Sequence, residues 1–61
     1  MPYVKVELVK GRTEEQKAAI AEAITEALVK LGGATPQSVW VVFDDVEKEN
    51  WASGGKLMSR K

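Results

Sequence analysis

The chain has 61 residues, nine basic and nine acidic side chains that cancel, and neither cysteine nor histidine. This excludes disulfides, zinc sites of the usual nitrogen/sulfur type, and Ser-His or Cys-His catalysis. A domain of this size buries only about 60% of the surface its unfolded chain exposes, so self-association is the remaining route to a sufficient core.

Tyr3 to Val9 alternates, with Val4, Val6 and Leu8 on one side and Tyr3, Lys5 and Glu7 on the other. That period of two predicts a strand with one buried face. Lys10-Gly11-Arg12 breaks it. Thr13-Glu14-Glu15-Gln16 reads as a capping box, with Thr13 as N-cap and Gln16 three positions on. Glu14 and Glu15 suit the positive end of the helix dipole. Ile20, Ile24, Ala27, Leu28 and Leu31 then recur at helical spacing and predict one apolar stripe. Glu26 and Lys30 form a favourable i,i+4 pair, and Gly32-Gly33 stops the helix, which spans about Glu14 to Leu31.

Thr35-Pro36-Gln37-Ser38 predicts a single capped turn with Pro36 at its first position. Val39 to Phe43 is a continuous apolar run ended by Asp44-Asp45, as expected of a strand covered on both faces. Strand, helix and strand make an α/β (α+β) chain, one βαβ domain over residues 1–61, with a right-handed crossover expected. Glu47 to Lys61 reads as a short C-terminal hairpin or arm that packs on a neighbouring copy. The sheet edges and the second face of Val39 to Phe43 also await a second copy.

No basic stripe tracks a phosphate backbone, and no apolar run approaches the ~20 residues of a membrane span. Lys5 comes too early for a signal segment. The expectation is a cytoplasmic protein with no nucleic-acid or membrane partner. Carboxylates could hold a hard cation, but no D-x-D-x-D-G run occurs, so no metal is expected. Asp44-Asp45 with Glu47 and Glu49 could be paired carboxylates for hydrolysis; charged residues after a buried strand are ordinarily a solvated turn.

Pro2 stands behind an initiator methionine that is readily trimmed before a small residue. Trimming leaves a secondary α-amine, a group with a reference pKa of about 7.7–8.0. Desolvation and a nearby guanidinium both lower it further. A neutral amine near pH 7 is a suitable general base; with Met1 retained, the nitrogen is a non-basic amide. Arg12, in a loop at a strand end, offers forked donors to a carboxylate or enolate. A solvated arginine, or a partner for Glu14 or Glu15, is the plainer alternative.

Pro2 after Met1, Gly11-Arg12-Thr13 followed by Glu15-Gln16-Lys17, Ser38-Val39, and Asn50-Trp51-Ala52-Ser53-Gly54-Gly55-Lys56-Leu57 together resemble the 4-oxalocrotonate tautomerases. The resemblance runs nearly end to end. It implies βαβ subunits that pair into four-stranded dimer sheets and assemble as a hexamer, a trimer of dimers. It further implies cofactor-independent proton transfer in small 2-oxo or 2-hydroxy-dienoate acids, with Pro2 as catalytic base. Arg12 would bind the substrate carboxylate, often from another subunit, and Trp51 would form an apolar wall beside the proline. Ser38 and Val9 fall at positions near the family's substrate; a strand-start cap and core packing are their alternatives. Trp40 departs from the pattern, because many members carry a second arginine there that polarises the 2-oxo oxygen and binds the adjacent carboxylate. Arg60 could replace that charge, an apolar substrate end could stack on Trp40, or Trp40 could simply pack in an interface. Two other functions stay open: hydration or dehalogenation of unsaturated acids with a carboxylate beside Pro2, and a non-catalytic oligomerisation module.

Overall fold

Two parallel strands, the helix that connects them and a C-terminal hairpin make up the chain, which the computed structural model describes over residues 1–61. In β1 (Tyr3–Val9) the alternation holds: Val4, Val6 and Leu8 turn inward, while Tyr3, Lys5 and Glu7 stay exposed. β2 (Trp40–Val46) lies parallel to it, with Tyr3 opposite Trp40 and Val9 opposite Val46.

β2 starts one residue later than the apolar run and extends beyond its expected end at Phe43, through Asp44 and Asp45 to Val46. The ladder with β1 carries the extension, through Val9 opposite Val46, and two ion pairs accompany it. Asp44 lies 3.8 Å from Lys5 on the neighbouring strand, and Asp45 pairs with Lys17 of the helix. Partnered carboxylates need not end a strand in solvent. Val41 and Phe43 are half-buried while Trp40 and Val42 are exposed, so within one chain β2 is covered on one face, not both.

α1 (Glu14–Gly32) opens with the expected capping box: Thr13 Oγ1 accepts from the Gln16 N–H at 3.1 Å, and Gln16 Oε1 accepts from the Thr13 N–H at 2.9 Å. Lys30 Nζ reaches Glu26 Oε1 at 3.5 Å. Thr13→Ala is expected to remove about 1 kcal/mol of stability. Thermal unfolding of the variant should show a lower midpoint; an unchanged one would mean the cap is redundant.

The packed face of α1 is rotated from the expected stripe. Ile20, Ile24 and Leu28 are half-buried, but so are Ala21, Thr25 and Val29, whereas Ala27 is exposed and Leu31 is 90% exposed. The chain returns past the Thr25–Val29 side in a 3₁₀ turn, Pro36–Ser38, which takes up that flank and leaves the Ala27–Leu31 flank bare. Pro36 opens this turn as expected, but the Thr35 side chain does not cap it.

Past β2, a 3₁₀ turn (Lys48–Asn50) leads into the expected hairpin of β3 (Ala52–Ser53) and β4 (Lys56–Leu57). Its two-residue loop, Gly54-Gly55, has φ of 61° and 81°. Both are left-handed values that glycine adopts without steric cost, and they match the twist of a tight hairpin. The Met58 N–H donates to the Trp51 carbonyl at 2.8 Å and closes the base of the hairpin, before a last turn at Met58–Arg60.

Leu8, at 9% exposure, is the only buried residue. One helix on a two-stranded sheet does not close a core. Tyr3, Trp40 and Val42 form an uncovered face on the side of the sheet away from α1. The chain measures 42 × 22 × 14 Å, an elongated shape with most of its apolar surface half covered.

Candidate active site

The expected site residues fall into two groups at opposite ends of the parallel strands. Pro2, Ser38 and Trp40 sit where both strands begin. The Pro2 carbonyl accepts from the Trp40 N–H at 2.9 Å, which extends the sheet ladder and ties Pro2 to β2. Pro2 is half-buried, while Met1 is 93% exposed and makes no hydrogen bond. Removing Met1 therefore costs the chain no packing, and Pro2 stays anchored by its carbonyl. The Ser38 hydroxyl donates to the Thr35 carbonyl at 2.8 Å, so it closes the turn rather than capping the strand.

Val9 and Arg12 lie where the strands end, and Trp51 follows β2 out of the same end. The Lys10 N–H donates to the Val46 carbonyl at 2.8 Å, and Lys10 Nζ reaches Glu47 Oε2 at 3.2 Å; together they bind the β1–α1 turn to the start of the tail. Gly11, at φ 146°, lets the chain turn there. The exposed Arg12 makes a single 3.4 Å bond, from Nη1 to the Val9 carbonyl, and pairs with neither Glu14 nor Glu15. Its guanidinium keeps most of its donors for another partner. Trp51 is half-buried, and its carbonyl accepts from the Met58 N–H.

A seven-residue strand at about 3.3 Å per residue puts these two ends roughly 20 Å apart. No small acid bridges that distance, so one chain cannot present Pro2 and Arg12 to the same substrate.

The paired-carboxylate alternative does not survive. Asp44 and Asp45 point to opposite faces of the sheet and each lies beside a lysine, so they do not form a carboxylate pair. No cluster of acidic side chains could hold a metal ion, and no helix is long and apolar enough to cross a membrane.

Tyr3 gains a significance the sequence did not give it. The pleat turns it outward and the register sets it opposite Trp40, next to Pro2. Its outward direction was readable from the alternation, but its pairing with Trp40 depends on the register between strands far apart in the chain.

A βαβ chain with a C-terminal hairpin places the protein among small tautomerase-like subunits. It superposes on a 4-oxalocrotonate tautomerase isozyme from Methylibium petroleiphilum with a TM-score of 0.91 and 42% identity, over 97% of this chain and 95% of that one. A 2-hydroxymuconate tautomerase from Comamonas testosteroni is 46% identical over 55 residues, covering 90% of this chain and 87% of its own. A heterohexameric 4-oxalocrotonate tautomerase from Chloroflexus aurantiacus J-10-fl matches with a TM-score of 0.91 at 27% identity, over 97% of this chain and 95% of that one. The family described as "Tautomerase enzyme" matches residues 2–61. The chain belongs to that family, within its 4-oxalocrotonate tautomerase group, and is an enzyme of the isomerase class.

Proposed function

We propose that the protein moves a proton within small 2-oxo or 2-hydroxy-dienoate acids, using the free amine of Pro2 in one copy and Arg12 of another. The observation that carries this reading is the roughly 20 Å between the two ends of β1. It separates the proline from the arginine in one chain and calls for a second chain to reunite them. With Met1 removed, the neutral Pro2 nitrogen takes the proton from the enol hydroxyl or the acidic carbon. The same nitrogen then returns it to another carbon of the conjugated system. Arg12 binds the carboxylate and steadies the negative charge that spreads toward the carbonyl as the proton leaves. Trp51, entering from the Arg12 end, keeps water from the amine and so favours its neutral form.

Assembly is part of the proposal. The bare sheet face at Val42 and the bare helix flank at Ala27 and Leu31 lie on opposite sides of the chain. One pairing cannot cover both, which supports an assembly larger than a dimer, and a hexamer of paired βαβ units satisfies it. The heterohexameric relative is a precedent for such an assembly. The setting proposed for this reaction is the cytoplasm.

Arg12→Ala tests the carboxylate role. Loss of a charge-assisted fork is expected to lower kcat/KM for 2-hydroxymuconate by about 10–100-fold, with Arg12→Lys recovering part of it. An alanine variant with unchanged KM and kcat would remove Arg12 from the site.

A further inference from the structure

Tyr3 and Trp40 stand opposite each other across the β1–β2 pair, on the face away from α1, at 62% and 57% exposure. The backbone bond from the Trp40 N–H to the Pro2 carbonyl fixes this aromatic pair beside the proposed base. Neither strand carries an arginine. The first cation along that face, Lys5, is already engaged by Asp44 at 3.8 Å. Arg60, in the last turn of the tail, lies outside both strands. The start of the two strands thus offers two ring surfaces, an indole N–H and a phenol O–H donor, and no arginine.

We propose that Trp40 and Tyr3 select substrates with one carboxylate and an apolar or aromatic end over dicarboxylates. The inference rests on the Pro2–Arg12 reading and adds the substrate class to it. Arg12 supplies one guanidinium fork, enough for one carboxylate. A second carboxylate held against two rings would lose its hydration and meet no compensating charge. The indole N–H and the Tyr3 phenol O–H give it two neutral donors and no positive charge. An aromatic or apolar end in the same place stacks on the rings and releases water from both surfaces.

The test is the ratio of kcat/KM for phenylenolpyruvate, with one carboxylate and a phenyl end, to that for 2-hydroxymuconate, with two carboxylates. Wild type, Trp40→Phe, Trp40→Arg, Tyr3→Ala and Pro2→Ala are compared, each checked for assembly by light scattering. Trp40→Phe is expected to hold the ratio. Trp40→Arg is expected to move it at least about tenfold toward 2-hydroxymuconate. Pro2→Ala is expected to lower both activities together and leave the ratio unchanged. A properly assembled Trp40→Arg enzyme with the wild-type ratio overturns the inference while the Pro2 reading survives. If Trp40→Arg does not assemble, Tyr3→Ala decides: a loss confined to phenylenolpyruvate supports the inference, and equal effects on both substrates overturn it. Undiminished activity, on both substrates, of a chain extended ahead of Met1 overturns the Pro2 reading, and this inference with it.

Discussion

A chain extended by a few residues ahead of Met1 is expected to fold and assemble yet lose about 10²–10⁴-fold in kcat, the usual share of a general base. The extension keeps every side chain but removes the free amine of Pro2, by holding its nitrogen in an amide, and adds bulk beside it. Met1 is 93% exposed and unbonded, so the start of the chain has room for added residues. Cutting the extension off to expose Pro2 should restore the rate, and intact mass should show Met1 absent from the active form. Pro2→Ala is a milder lesion, since trimming before alanine still leaves a primary amine that can accept a proton. Its expected fall is smaller and comes from losing the ring that orients the nitrogen. Full activity in the extended, Met1-bearing chain would contradict the amine as base.

The second large effect is expected at Val42. In one chain Val42 is 40% exposed, flanked across the sheet by Lys5. Val42→Asp would be nearly neutral on a solvated face, within ±0.5 kcal/mol, and close to Lys5 even mildly favourable. On a face sealed by another copy, the same change buries a carboxylate in an apolar contact and costs several kcal/mol. Small oligomeric chains with no core of their own cannot absorb that loss, because their folding and assembly are one equilibrium. The variant is therefore expected to fall to a lower mass by light scattering and to lose activity and thermal stability together. Retention of the wild-type mass and midpoint would show that the sheet face at Val42 is open to water in the working protein.

Much of the fold was legible because its signals are local. The alternation of β1, the Thr13–Gln16 box, the Glu26–Lys30 pair and the Gly54-Gly55 turn each lie within a few residues of chain. The misreadings involve partners far away in sequence. Asp44 and Asp45 resemble a strand end until Lys5 and Lys17 are seen to hold them. Leu31 has the right helical spacing for the apolar stripe, yet the return of the chain at Pro36 rotates the contact toward Thr25 and Val29. For the site, sequence named the chemically capable residues but not their separation. Pro2 and Arg12 are ten positions apart in the chain and look like neighbours, while an extended strand carries them to opposite ends of the subunit. Tyr3 was missed as a companion of Trp40 for the same reason, since only strand register joins them.

Mixing two impaired subunits tests the shared site most directly. Pro2 blocked by an N-terminal extension gives one subunit, Arg12→Ala gives the other, and the two are unfolded, combined and reassembled. If each site takes its amine from one copy and its guanidinium from another, random assortment gives about a quarter of the sites both groups intact. Activity on 2-hydroxymuconate should then rise well above that of either parent assembled alone. Mixed assemblies no more active than their parents would mean that Pro2 and Arg12 serve each other within one chain, or do not serve one site at all.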